Sequence, residues 1–284
     1  MGVRSVLERF EELVRDWNIV VQDTLETQSS LLAFGTRGNL PVVLKVMRQL
    51  GDEWRCAEVL DAFDGRGVVR VYDRIEGAVL LERLNPGTSL ASLALNGQDD
   101  EATEILSEVI QRMGGPIESS DETLKKFVTV EGWGSAFQSY LESGDKQIPD
   151  DLVERGQHLY LELCASQRYS RLLHGDLQHY NVLLDNDRGW VAIDPKGVVG
   201  EIEYEIGASL RNPCERPDLF VTTEMVERRL TIYEERLKLD SDRASGWVFA
   251  QAVLSAIWSV EDGFAVDVRS PAIRLANAML PLLN

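Results

Sequence analysis

The chain has 284 residues, 44% hydrophobic and 27% charged, the balance of an ordinary folded protein rather than a disordered, fibrous or disulfide-stapled one. Its 29 Lys and Arg against 47 Asp and Glu leave a formal net charge of −18 at pH 7. A surface this acidic is repelled by phosphate backbones and anionic lipids, so neither a nucleic-acid nor a membrane partner is expected.

In chain order, Val6, Phe10, Leu13 and Val14 share one face of an opening amphipathic helix. Strand-type residues follow at 19–21 and 31–34 and, after a turn signal at Thr36-Arg37-Gly38-Asn39, at 42–46. The spacing of Trp54, Ala57, Val59 and Leu60 predicts a helix over 53–63, ended by Asp64-Gly65. Short strands are expected at 68–72 and 78–81, and Asn85-Pro86-Gly87 then breaks the chain. Beyond residue 88 the period turns helical. Ile105, Leu106, Val109, Ile110 and Met113 form one stripe, and others run over 152–163, 226–237 and 247–258. A last helix starts with Ser270 as N-cap and Pro271 at its first position. One strand pair interrupts the helices, at 182–184 and 190–193 around a turn at 185–189. The expected architecture is α+β: a small β-rich N-terminal lobe over 1–84, and a larger, mainly helical C-terminal lobe over 85–284.

Three cysteines, Cys56, Cys164 and Cys214, form no CxxC pair and fit a reducing compartment. The start, MGVRSVLERFEELV, lacks the apolar stretch of a secretory leader, and no run of 18 apolar residues occurs. The expected location is the cytoplasm.

The chemistry is concentrated in His174-Gly175-Asp176-Leu177-Gln178-His179-Tyr180-Asn181 and in Ile193-Asp194-Pro195. Phosphoryl transfer needs a carboxylate that orients the accepting hydroxyl and oxygen ligands that hold Mg²⁺ against the phosphates. An Asp and an Asn at this separation on one loop, with a second Asp at the end of a returning strand, supply those groups. The spacing resembles the catalytic loop and metal-binding Asp of protein kinases, with Gly175 where those usually have Arg. HGD in place of HRD and IDP in place of DFG resemble the aminoglycoside phosphotransferase branch of that fold. LLHGDLQHYNVLL, AIDPKGVVGEIEYE, VVLKV, GVVRVYD and LLERLNPGTSL are similar to its streptomycin-kinase and hydroxyurea-phosphotransferase group.

That resemblance implies a protein-kinase-like bilobal fold and a transfer of the γ-phosphate of ATP or GTP, with Mg²⁺, to a hydroxyl of a small cationic acceptor. The streptomycin type leads, with hydroxyurea as the related choice. Asp176 would orient the acceptor hydroxyl, and Asn181 and Asp194 would be Mg²⁺ ligands. Lys45, inside an apolar strand, would contact the α- and β-phosphates, with Glu58 as its ion-pair partner and Glu53 as the competing candidate. The Gly-rich loop of protein kinases is missing, and Ser29 and Ser30 stand in its place, either contacting phosphate or serving as turn residues. Backbone groups of Glu82 and Leu84 would hold the purine. His174 would brace the catalytic loop, with His179 exposed, and Lys196 would touch phosphate or acceptor or face solvent. Glu201, Glu203, Glu205, Asp262 and Asp267 are the carboxylates available to a cationic acceptor. Two other readings stand beside this one. One is a kinase for a sugar, a choline-like amine or an amino alcohol; the other is a silent pseudokinase, against which four intact polar residues argue.

Overall fold

A computed structural model of the chain describes residues 5–49, 51–114 and 124–283, apart from the side chains of Asp52 and Glu53. The chain forms two compact units, one of Met1–Thr88 with Leu183–Lys196 and one of Ser89–Val182 with Gly197–Asn284. The first division thus falls at 88/89 rather than 84/85, and the 183–196 segment groups with the first unit.

In the first unit, α1 (Val6–Asp16) opens with a reciprocal cap: Ser5 Oγ accepts from the Glu8 N–H, and the Glu8 carboxylate accepts from the Ser5 N–H. Strands β1 (Ile19–Glu26), β2 (Ser30–Arg37) and β3 (Leu40–Met47) follow, then helix α2 (Cys56–Phe63), β4 (Val71–Ile75) and β5 (Ala78–Glu82). They make one antiparallel sheet in the order β1-β2-β3-β5-β4. Along β3 the side chains alternate between faces, so Val42, Leu44 and Val46 join Leu13 of α1 in the core while Lys45 lies on the opposite face. Two expectations shift. The first turn of the 53–63 helix is a 3₁₀ turn at Asp52–Arg55. The strand expected at 68–72 begins only at Val71, because Val68 and Val69 pair with Ala192 of the 183–196 segment instead.

The second unit is built on helices, chief among them α3 (Asp99–Met113), α4 (Asp150–Ala165), α5 (Thr223–Leu237), α6 (Ser241–Glu261) and α7 (Pro271–Met279). Helix α6 is apolar nearly all round, from Ala244 to Ile257, as a helix enclosed by its neighbours must be. Tyr160, Tyr204 and Trp247 meet edge-to-face beside it, with ring centroids 5.2 to 6.3 Å apart. Pro271 opens α7 as expected, although the Ser270 hydroxyl accepts from the Asp267 N–H instead of capping the helix. A small sheet pairs Arg171–Leu173 with Val198–Gly200, registering Leu173 against Val198, and so ends where His174 begins. Among the described residues, no helix is long and apolar enough to cross a membrane.

Candidate active site

Lys45 is 3% exposed, and its Nζ donates to Asp194 Oδ1 at 2.8 Å, so the buried ammonium has the counter-ion that burial demands. Asp194 adopts φ +57°, a left-handed conformation that costs most side chains about 1–2 kcal/mol and that Asp and Asn tolerate best. Strain of this kind gathers at functional positions. Glu58 does not pair with Lys45. The buried face of α2 is Cys56, Ala57, Val59 and Leu60, which turns Glu58 outward to accept from Arg55 Nε at 2.9 Å, one turn back. The side chain of Glu53, the competing candidate, lies outside the described residues.

The residues expected around the nucleotide are also placed. Glu82 donates its peptide N–H to the Arg70 carbonyl at 3.0 Å, so a purine contact there could run only through the Glu82 carbonyl oxygen. Its side chain accepts from the Arg70 N–H and pairs with Arg188, and Leu84 is buried. Ser30 is buried; its N–H donates to Thr27 Oγ1 at 2.9 Å, and its hydroxyl meets the same atom at 2.9 Å. In this arrangement the Ser30 N–H closes the turn through Thr27. Ser29 is half-buried and accepts from the Arg48 N–H through its carbonyl.

In the second unit, the loop after Leu173 is anchored at alternate positions. His174, Leu177 and His179 are buried, while Asp176, Gln178 and Tyr180 are partly exposed. Gly175 sits at φ +82°, and a Cβ there would come 2.8 Å from the Trp133 ring, which accounts for glycine where protein kinases carry arginine. His174 braces the turn as expected, its Nδ1 accepting from the Asp176 N–H at 3.3 Å. The Gln178 side chain accepts from the Tyr180 N–H and caps the 3₁₀ turn His179–Asn181, which sets the distance between Asp176 and Asn181. Asn181 Nδ2 donates to the Asp176 carbonyl at 2.9 Å and lies 3.3 Å from Asp176 Oδ2. Arg211, which the sequence did not single out, places Nη2 3.5 Å from Asp176 Oδ1. The loop therefore holds one carboxylate, oriented by an amide on one side and a guanidinium on the other.

The carboxylates proposed for the acceptor have other partners. Glu205 is 2% exposed and accepts from the N–H groups of His174 at 2.6 Å and Gly175 at 3.0 Å. Burial pushes its carboxyl up to about 7, against the pull of those two N–H groups. Glu201 is buried among Arg243, Trp247 Nε1 and the Arg168 N–H. Asp267 binds Arg269 in solvent, Asp262 is exposed and Glu203 is half-buried. His179 is buried rather than exposed. Both its ring nitrogens lack hydrogen-bond partners among the described residues, and burial together with Arg229 holds its pKa well below the usual histidine range. Lys196 is half-buried.

For a divalent cation the donor set fits Mg²⁺, which takes oxygen ligands and keeps waters. Asn181 gives its amide N–H to Asp176, and its Oδ1 accepts no hydrogen bond among the described residues. Among the described residues, no group of three His, Cys, Asp or Glu side chains is placed to hold a metal ion.

A family model described as an aminoglycoside/hydroxyurea antibiotic resistance kinase matches residues 17–263. The chain is 33% identical to the streptomycin 3''-kinase of Klebsiella pneumoniae, over 96% of this chain and 98% of that protein. It is 30% identical to a streptomycin 6-kinase of Streptomyces griseus, over 94% of this chain and 85% of that one. Among solved structures, an ethanolamine kinase of Plasmodium vivax superposes with a TM-score of 0.69 at 13% identity, over 99% of this chain and 96% of that one. At that identity the likeness is one of fold, and the kinase-like α+β fold expected from the sequence is borne out.

Proposed function

Because the chain belongs to the aminoglycoside/hydroxyurea antibiotic resistance kinase family and is a phosphotransferase, we propose that it moves the γ-phosphate of ATP or GTP to a hydroxyl of streptomycin, with hydroxyurea as the second candidate acceptor. The observation that supports this most is the setting of Asp176: a partly exposed side chain whose carboxylate meets Asn181 Nδ2 and Arg211 Nη2, and whose backbone N–H donates to His174 Nδ1.

In this reading Asp176 orients the acceptor hydroxyl and takes its proton as the oxygen bonds to phosphorus. A carboxylate suffices for this although it is a weak base, because the transition state is loose and orientation matters more than basicity. Lys45 offsets charge on the α- and β-phosphates, a necessity in a chain of net charge −18. We assign Asn181 Oδ1 and the Asp194 carboxylate as Mg²⁺ ligands; the ion, when bound, would supply positive charge against the phosphates. We place the work in the cytoplasm, in keeping with three cysteines that form no disulfide.

The experiment is a panel: Mg²⁺-ATP or Mg²⁺-GTP with streptomycin, hydroxyurea, choline and ethanolamine, with mass spectrometry of the products. A phosphate adduct, about 80 Da heavier, is expected on streptomycin. An adduct on choline or ethanolamine alone would favour the metabolite kinase. Nucleotide binding with no adduct on any of the four would favour the pseudokinase.

A further inference from the structure

We propose that a cavity of about 290 Å³ in the second unit is the acceptor subsite, and that it takes the uncharged, hydroxyl-bearing part of the acceptor. The proposal rests on the phosphotransferase reading and narrows it, since a cationic acceptor then has its charged groups held elsewhere. Arg211, Asn212, Cys214, Ser255, Ser259 and Ser270 supply the cavity's polar wall. Arg211 is the link to the chemistry. Arg211 lines the cavity, and its Nη2 lies 3.5 Å from Asp176 Oδ1, so one residue joins the cavity to the carboxylate that would receive the proton.

Arg211 is held in that place. Its Nη1 lies 3.4 Å from Gln251 Oε1, and Gln251 also donates to the Tyr204 carbonyl. Gln251 packs so closely on Gly207 that a Cβ there would stand 1.8 Å from its Oε1. Glycine at 207 thus makes the room that keeps Gln251 against Arg211.

The charge of the wall decides what can enter. Among the described residues the lining contains no Asp or Glu, and its one charged member, Arg211, already faces Asp176. An ammonium or guanidinium group entering here would be stripped of water beside another cation, with no carboxylate in the wall to compensate. A hydroxylated ring meets neutral Ser255, Ser259, Ser270 and Asn212 instead, of which Ser259 Oγ already donates to the Ser255 carbonyl, Ser270 Oγ accepts from the Asp267 N–H and Asn212 Nδ2 donates to the Ala208 carbonyl. The volume is at the lower end for small-molecule sites, so it suits one ring of a larger molecule or the whole of a molecule as small as hydroxyurea.

The test is Ser255→Asp, which adds a carboxylate to the wall. With streptomycin as acceptor, kcat/KM should fall at least tenfold while the thermal midpoint stays within a few degrees. A lower KM for streptomycin would mean that the cavity holds a cation, and an unchanged kcat/KM would mean that the acceptor binds elsewhere; either overturns the proposal. A second measurement needs neither turnover nor a variant. Cys214 is exposed at this wall, whereas Cys56 is buried and burial pushes the Cys164 thiol up to about 12, so iodoacetamide should alkylate Cys214 first. Millimolar myo-inositol should slow that alkylation at least threefold, and methylguanidinium at the same concentration should not. Protection by methylguanidinium, or by neither, contradicts the proposal. A wild-type protein that phosphorylates nothing would sink the phosphotransferase reading while leaving this protection assay readable.

Discussion

Glu205 and Gly175 are joined by a hydrogen bond of 3.0 Å from a catalytic-loop N–H to a buried carboxyl, and the same side chain also takes the N–H of His174. One group whose carboxyl titrates about 7 thus secures the two residues that precede Asp176. Its pKa in the fold is raised from 4.5, so the unfolded chain ionises first as pH rises. Stability from this group is therefore fully present below pH 4.5 and is lost as pH rises through 7, by at most about 3 kcal/mol. Glu205→Gln does not titrate. In urea unfolding at pH 5 and pH 8 the wild type should lose stability relative to the variant, and parallel losses in the two proteins would refute the assignment. Glu205→Ala, which leaves two buried N–H groups without an acceptor and does not titrate either, should cost on the order of 3 kcal/mol at pH 5 and less at pH 8.

Lys45→Met should separate stability from activity. Replacing a buried charge by an apolar side chain of similar length is often neutral, and Asp194, with 38% of its side chain exposed, can regain water. The expected change in unfolding free energy is within about 1 kcal/mol, while transfer slows by roughly a hundredfold. Urea melts beside steady-state rates over a range of nucleotide concentration check both halves. A variant that keeps its rate would remove Lys45 from the nucleotide site.

Arg229 and Asp99 make the opposite kind of pair. Arg229 is 1% exposed and Asp99 8%, with Nε to Oδ2 at 2.9 Å, and Arg229 also donates to the Asn212 carbonyl at 2.8 Å. Arg229→Met strands a buried carboxylate at the start of α3 and should cost about 3–5 kcal/mol. Removing the acid as well, in Arg229→Met with Asp99→Leu, should recover much of that. A single variant within about 1 kcal/mol of wild type in urea would show that the pair contributes little.

The elements were legible because their signals are local. Helix and strand periods are written into consecutive residues, and the Asp176-to-Asn181 spacing lies on a single loop. What was illegible depends on which faces come to meet. Glu58 and Lys45 are plausible partners by spacing, but Glu58 shares its helix with five buried residues and so turns outward to Arg55. Glu201, Glu203 and Glu205 look alike in GEIEYE, yet two of them are buried braces, a difference made by Arg243, Trp247 and the loop N–H groups 30 or more residues away. Arg211 carried no signal in its own segment, since its role exists only once Asp176 and Gln251 flank it. Ser30 could be read either way, and the partner of its N–H, Thr27, lies three residues before it.

The most direct measurement compares wild type and Asp176→Asn in the rate of phosphate transfer from Mg²⁺-ATP to streptomycin, with nucleotide affinity and thermal midpoint recorded alongside. Asparagine keeps the shape and the contact with Asn181 but cannot take a proton, so the rate should fall by about 10²–10⁴-fold while affinity and midpoint hold. Transfer at the wild-type rate by Asp176→Asn would contradict the account.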